Sequence, residues 1–275
     1  MKKKRFLEQL VQNIVLVLMA LVFITPLYVS VVNAFKESKT VMSSPLSVPI
    51  PPILDNIKHV LSSPNAAIGE MYSNTFILML CATVLCVLVS ALAAYYLART
   101  KTKFSRFMST YFLIGLMVPY IIVFIPMATM MRVLHIPFGI PVLILVFAAG
   151  NISFSVFMYT NFIRSLPTEL EESAAIDGAS KFRAFWSVLF PLLKPCTATV
   201  CIFTGLGVWN DFMTPLILGQ VKTITVGIYT AIGPYSADWG IVFSYVLFAA
   251  VPVIVIYLLM QKQFIAGLTA GATKG

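Results

Sequence analysis

Six stretches of roughly 20 apolar residues limit what this chain can become. They lie at about 13–32, 73–97, 108–131, 140–162, 196–218 and 241–260. The hydrocarbon core of a bilayer offers no water to peptide groups. Each stretch must therefore close its own backbone hydrogen bonds, as a helix does. The expected fold is an all-α, polytopic membrane protein with six transmembrane helices. A hydrophobic content of 59% and a mean hydropathy of +0.93 set the chain apart from water-soluble domains.

The basic residues test the topology. With both termini cytoplasmic, the inner segments hold Lys2, Lys3, Lys4, Arg5, Arg99, Lys101, Lys103, Arg106, Arg164, Lys181, Arg183, Lys194, Lys262 and Lys274. The outer segments hold Lys36, Lys39, Lys58, Arg132 and Lys222, so the bias is fourteen against five. Both termini are expected in the cytoplasm, with a tail at 1–12, a six-span domain at 13–262 and a second tail at 263–275. The net charge of +9 is then a topology signal and not a nucleic-acid patch. Lys2 to Arg5 precede an apolar run too long for a cleaved signal peptide, which predicts a retained signal anchor.

Chemistry-bearing motifs are sparse. The sequence contains no G-x-x-x-x-G-K-[ST], no H-E-x-x-H and no G-x-S-x-G, and the Gly205-x-Gly207 pair is not a dinucleotide fingerprint. Cys81, Cys86, Cys196 and Cys201 lie in apolar runs without histidine neighbours and read as small buried side chains. His59 and His135 fall in outer loops without companion ligands. The expectation is a non-catalytic chain that binds no metal or cofactor itself.

One polar stretch departs from the pattern. Residues 164–195 carry eight charged residues between apolar runs and have the grammar of two capped helices. Ser165 and Pro167 mark a start, and Glu169, Glu171 and Glu172 suit its positive end. Asp177-Gly178 ends that helix, and Ser180 caps the next. Phe182, Phe185, Trp186 and Leu189 then share one face, and Pro191 and Pro195 close the segment. From this pattern two readings stay open: an interfacial helix on the lipid surface, or a docking surface for another protein.

Elsewhere the sequence offers weaker signals. The outer loop 34–72 is proline-rich, with an amphipathic stretch at 53–61, and reads either as a cap or partner contact or as a plain surface loop. Pro26, Pro119, Pro126, Pro215 and Pro252 predict kinks within spans. Ser90, Ala94 and Ala98 form a small-residue stripe suited to close helix packing. Asp211 is the one acid well inside a span, flanked by Trp209 and Asn210. An intramembrane charge costs about 2.5–3.5 kcal/mol on insertion scales, so it needs a cavity or a partner. Trp209, Asn210 and Asp211, with Tyr159 and Tyr245, are candidates for a path that holds a hydroxyl-rich sugar. The competing reading has Asn210 and Asp211 capping a helix broken near Pro215.

The run Glu172-Ser173-Ala174-Ala175-Ile176-Asp177-Gly178-Ala179, followed by Phe185, Pro191 and Pro195, resembles the E-A-A loop of bacterial ATP-binding-cassette importer permeases. Ser173 departs from the alanine usual there. The resemblance implies a type I importer permease fold whose loop docks into a groove on a separate ATPase. Glu171, Glu172, Ser173, Ala174, Ala175, Asp177, Gly178, Ala179 and Phe185 would make that coupling surface. ATP and Mg would sit on the ATPase. The W-N-D-F stretch, the P-I-P-P-I-L-D-N-I loop and the G-L-T-A-G-A-T-K-G ending are similar to sugar permeases of the maltose class. This implies the second permease subunit of a carbohydrate importer in a bacterial plasma membrane. Its partners would be two ATPase subunits, a homologous permease and an extracellular or periplasmic solute-binding protein, with the flexible tail reaching between the ATPases. A polyol or glycerol phosphate ester could replace the sugar. An ion-coupled secondary transporter is the reading of another class; it predicts inverted repeats and several intramembrane acids, where only Asp211 is found.

Overall fold

The computed structural model describes residues 2–62, 67–233 and 237–272. Among them every regular element is helical: α1 (Lys2–Ala34), α2 (Ser38–Ser43), α3 (Asp55–Ser62), α4 (Ile68–Arg99), α5 (Lys103–Met117), α6 (Phe124–Val133) and α7 (Ile140–Arg164) come first. They are followed by α8 (Glu169–Ile176), α9 (Lys181–Leu192), α10 (Lys194–Asn210), α11 (Ile224–Ile232) and α12 (Trp239–Ala272). Four helices, α1, α4, α7 and α12, are long and apolar enough to cross a bilayer. Two bent pairs, α5 with α6 and α9 with α10, raise the candidate spans to six.

The kink expected from proline in the span at 108–131 is a full break. Proline disfavours the helical conformation in the residue before it, and Val118 is extended at φ −80°, ψ 117°. A 3₁₀ turn, Tyr120–Val123, leads into α6, and the two helices meet at 93°. The run at 196–218 is broken as well: α10 ends at Asn210, Asp211 is extended, and a π turn follows at Pro215–Gly219. At the other end, α12 carries helical backbone to Ala272, where a flexible tail was expected; residues 273–275 lie outside the described set.

The chain divides into two compact units, 1–69 with 227–254 and 70–226 with 255–275. In the first, the apolar side chains of α1 from Leu10 to Phe23 are exposed, as suits a helix in lipid. Its end is tied down by a polar knot that composition alone would not suggest. Buried Lys36 donates from Nζ to Asn33 Oδ1 and to the Ser44 carbonyl, both at 2.9 Å. Asn56, buried on α3, donates from Nδ2 to the carbonyls of Ala34 (3.0 Å) and Lys36 (2.8 Å). The Ser38 hydroxyl accepts from Trp239 N at 2.8 Å. Gly240 lies so close that a Cβ there would overlap Asn56 Nδ2 and the Lys36 carbonyl. The loop 34–62 is thus a packed cap on helix ends and not a loose connection.

In the second unit two apolar clusters organise the helices. One joins Leu78 of α4, Phe124 of α6, Leu143 and Phe147 of α7 and Leu218 of the π turn. The other joins Val87, Ala91 and Ala94 of α4, Tyr159 and Ile163 of α7, and Phe185, Leu189, Leu193 and Cys196 of the segment after α8. The small-residue stripe does what its spacing predicts: Ser90 and Ala94 are fully buried and Ala98 packs against the same cluster. Cys86 and Cys196 are buried as expected, and Cys201 is half-buried. Cys81 is the exception, exposed on the outer face of α4.

Asn56 generates a direct test. Asn56→Ala strips the Lys36 carbonyl of its amide donor and leaves the Ala34 carbonyl only the longer bond from Ser244 Oγ at 3.4 Å, which should cost about 1–3 kcal/mol. A lowered thermal midpoint of the purified chain in mild detergent is the expected result, and an unchanged midpoint contradicts the cap.

Candidate functional site

The segment between α7 and α10 folds as two short helices, α8 and α9, and its start differs from the expected one. Ser165 does not open a helix. It closes α7, donating its hydroxyl to the Phe162 carbonyl at 2.7 Å. The next helix, α8, begins one turn later behind Thr168, and Glu169, Glu171 and Glu172 occupy its first turn. Its end is a left-handed cap. Gly178 sits at φ +81°, Ala179 N donates to the Ala174 carbonyl (2.9 Å) and Gly178 N to the Ala175 carbonyl (3.0 Å). These are the 6→1 and 5→2 bonds that satisfy the last carbonyls of a helix. The Ser180 hydroxyl then accepts from Arg183 N at 3.3 Å and opens α9.

One ion pair fixes this segment to α4. Arg99, the last residue of α4, places Nε and Nη2 each 2.7 Å from Glu171 Oε1. Nη2 also donates to the Leu166 carbonyl at 3.2 Å, and Tyr95 OH donates to Glu171 Oε2 at 3.1 Å. The paired side chains are only 16% and 15% exposed, so solvent screens the pair weakly. Arginine's planar fork suits this geometry, in which one guanidinium serves a carboxylate and a carbonyl together. Below the pair, Phe185 (1% exposed) packs on Tyr95 with ring centroids 5.1 Å apart. A π segment, Phe185–Leu189, widens the helix there and lets both Phe185 and Leu189 face the cluster.

The predicted coupling residues therefore sort into two groups. Glu171, Ala174 and Phe185 point inward and hold the segment to the helices above. Glu172, Ser173, Ala175, Asp177 and Gly178 are exposed, and Ala179 is half-buried. The expected single aromatic face also divides. Phe185 and Leu189 are buried, Trp186 is half-buried, and Phe182 stands 67% exposed beside the turn. Ile176, 87% exposed, joins it, so the tip shows two large apolar side chains among charges. The sequence reading did not single out Arg99, Tyr95 or Ile176. Arg99 counted only as a topology charge, and its pairing partner lies seventy-two residues away.

The candidate path residues are placed as follows. Trp209 is buried, its ring 5.2 Å from Phe76 and edge-on. Asn210 is exposed and donates from Nδ2 to the Leu206 carbonyl at 2.9 Å. Asp211 caps the break. Its Oδ1 accepts from Thr214 N at 3.0 Å, its Oδ2 accepts from the Thr214 hydroxyl, and its carbonyl accepts from Thr225 Oγ1 at 3.0 Å. Tyr159 is fully buried, donating to Thr197 Oγ1 at 2.9 Å. These four belong to the second unit, whereas Tyr245 is buried in the first.

Residues 87–264, which span the anchored segment and its Arg99 partner, match the family described as binding-protein-dependent transport system inner membrane component. The chain belongs to this family. Members are non-catalytic permease subunits, in keeping with a surface built of caps and apolar side chains. A probable starch degradation products transport system permease of Thermoanaerobacterium thermosulfurigenes is 30% identical, over 94% of both chains. The multiple sugar-binding transport system permease of Streptococcus mutans is 31% identical over the full length of both. The melibiose/raffinose/stachyose import permease of Bacillus subtilis is 35% identical over 76% of this chain and 78% of its own. A bacterial ABC transporter involved in the import of the acidic polysaccharide alginate shares the fold at a TM-score of 0.79, with 19% identity over 93% of this chain and 96% of its own.

The ion pair predicts non-additive stability. Arg99→Met or Glu171→Met alone strands a mostly buried charge and should cost about 3 kcal/mol. The double variant should lose clearly less than the two singles together, measured by thermal unfolding in detergent. Strict additivity means that the pair does not hold the segment.

Proposed function

We propose that this chain is the second permease subunit of an ATP-driven importer that receives a sugar or oligosaccharide from an external binding protein. The observation that carries the reading is the anchored tip. A helix–turn–helix whose caps are complete, whose root is ion-paired, and whose apolar Ile176 and Phe182 remain exposed is built to meet another protein. An interfacial helix needs an apolar face directed at lipid, and here that face is mostly buried against α4 and α7. The basic bias puts the tip in the cytoplasm with both termini, where a partner using ATP and Mg can reach it.

The complex then comprises two ATPase subunits, a homologous permease and an extracellular or periplasmic solute-binding protein, in a bacterial plasma membrane. The coupling surface is formed by Glu172, Ser173, Ala175, Asp177, Gly178 and Ala179 at the tip, with Glu171, Ala174 and Phe185 beneath. Nucleotide-driven closure of the ATPases moves the tips together, and the packed segment passes that motion to the spans. Differential binding to the two end states drives alternating access. Carbohydrate as cargo is supported by three relatives, two matched over 94% or more of the chain and one over 76%, named for starch degradation products, multiple sugars and melibiose/raffinose/stachyose. In the inward-facing or outward-facing state, Trp209, Asn210, Asp211, Tyr159 and Tyr245 are the residues to examine for contact with it. The same machinery would serve a polyol or a glycerol phosphate ester.

Affinity purification of the tagged chain from its own host tests the assembly. An ATPase and a second permease should co-purify in fixed ratio; a chain that purifies alone and transports alone in vesicles would overturn the proposal. Gly178→Val tests the coupling. A β-branched residue at φ +81° costs about 1–2 kcal/mol and distorts the turn. Uptake in reconstituted vesicles should fall at least tenfold while expression and insertion stay normal, and normal uptake would remove the turn from the coupling path.

A further inference from the structure

A cavity of about 820 Å³ opens beside the anchored segment, and four cations line it: Arg99, Lys101, Arg106 and Arg164. No acid lines it. Two of the cations have partners within the chain, although Arg164 is itself exposed. Arg99 is held by Glu171, and Arg164 Nη2 reaches the Leu97 carbonyl at 3.4 Å. Lys101 and Arg106 are exposed at the mouth. Topology explains why basic residues lie at these helix ends. It does not explain why they converge on one concave site.

The floor of the site continues between α5 and α7. A narrower space of about 80 Å³ shares Leu97, Ser109 and Arg164 with the basic cavity and is lined beyond them by Phe112, Leu113, Val156 and Phe157. Two buried hydroxyls along this route, Ser109 Oγ and Thr160 Oγ1, have no hydrogen-bond partner among the described residues. Thr160 is only 6% exposed. Both oxygens are closed to solvent, so they bear on how α5 and α7 pack beside the cavity and not on direct contact with a bound molecule.

We propose that this is a binding site for an anionic glycerophospholipid. Its phosphate would sit among Lys101, Arg106 and Arg164, and the first methylenes of one acyl chain would enter beside Phe112, Leu113 and Phe157. The shape argues for lipid over a soluble anion, because a basic mouth running into an apolar groove matches a molecule with both characters. The proposal needs only that these helix ends meet the membrane surface, so it stands apart from the ATPase assignment. The consequence is a lipid wedged against the root of the coupling segment, beside the Arg99–Glu171 pair.

Native mass spectrometry of the purified chain with its co-purifying subunits, stripped of lipid and titrated with phosphatidylglycerol or phosphatidylcholine, provides the test. Phosphatidylglycerol should be retained preferentially. Lys101→Gln/Arg106→Gln, at two exposed positions, should weaken that retention by about fivefold per cation removed. Leu113→Trp, which leaves the cations in place and fills the groove, should weaken it as well. Excess glycerol 3-phosphate should not displace the lipid. Equal retention of both lipids, or retention unaffected by the double variant, would overturn the site. Displacement by glycerol 3-phosphate would overturn it in favour of a soluble phosphate. Loss of the ATPase from the double variant with lipid retention intact would assign these cations to a protein interface instead. Should Leu113→Trp fail to fold, the double variant still decides.

Discussion

Where this chain leaves a helix, its own backbone and side chains supply the hydrogen-bond partners that the helix no longer provides. This constraint governs its most informative positions. At the end of α10 the backbone turns extended, and Asp211 and Thr225 provide the missing acceptor and donor. At the end of α8 a left-handed glycine lets the backbone close on itself. Near the end of α1 the amides of Asn33 and Asn56 and the Lys36 ammonium take up the free carbonyls. Each is a short polar device inside an apolar chain. Their positions determine where helices stop, and so which residues can meet.

The periodicities that depend on neighbours in sequence were legible. The small-residue face of α4, the Gly178 turn and the Ser180 cap all follow from local rules, and the structure has them where the residues place them. The predicted amphipathic stretch at 53–61 differs from α3 by one or two residues at either end. Long-range pairing was not legible. Arg99 and Glu171 are separated by three full helices, α5, α6 and α7, and a charge at a helix end says nothing about its partner. The bend at Pro119 lay in between. Proline announces a kink, yet its angle of 93° comes from the packing of α6 on α7 and the π turn.

For the candidate path, the sequence had posed two roles for Asp211, and the geometry gives it a full set of local partners in Thr214. If Asp211 contacts cargo, as proposed, it must first release the Thr214 cap. The break at 211–219 would then change with cargo. Its close approach to α7, where Gly219 leaves no room for a Cβ against Leu143, ties such a change to the packing of α7.

The 77° elbow between α9 and α10 has a mechanical meaning. The chain passes through it without a flexible linker, and Leu193, fully buried, lies at the corner. A displacement imposed on α9 therefore acts as torque about that corner, with α9 as the short arm of a bell crank and α10 as the long one. Roughly twelve residues of helix on one side turn seventeen on the other, which amplifies travel at the far end by about 1.4 at a matching loss of force. Asp211 stands at the end of that longer arm, so the broken segment is where a small movement of the loop would sweep furthest.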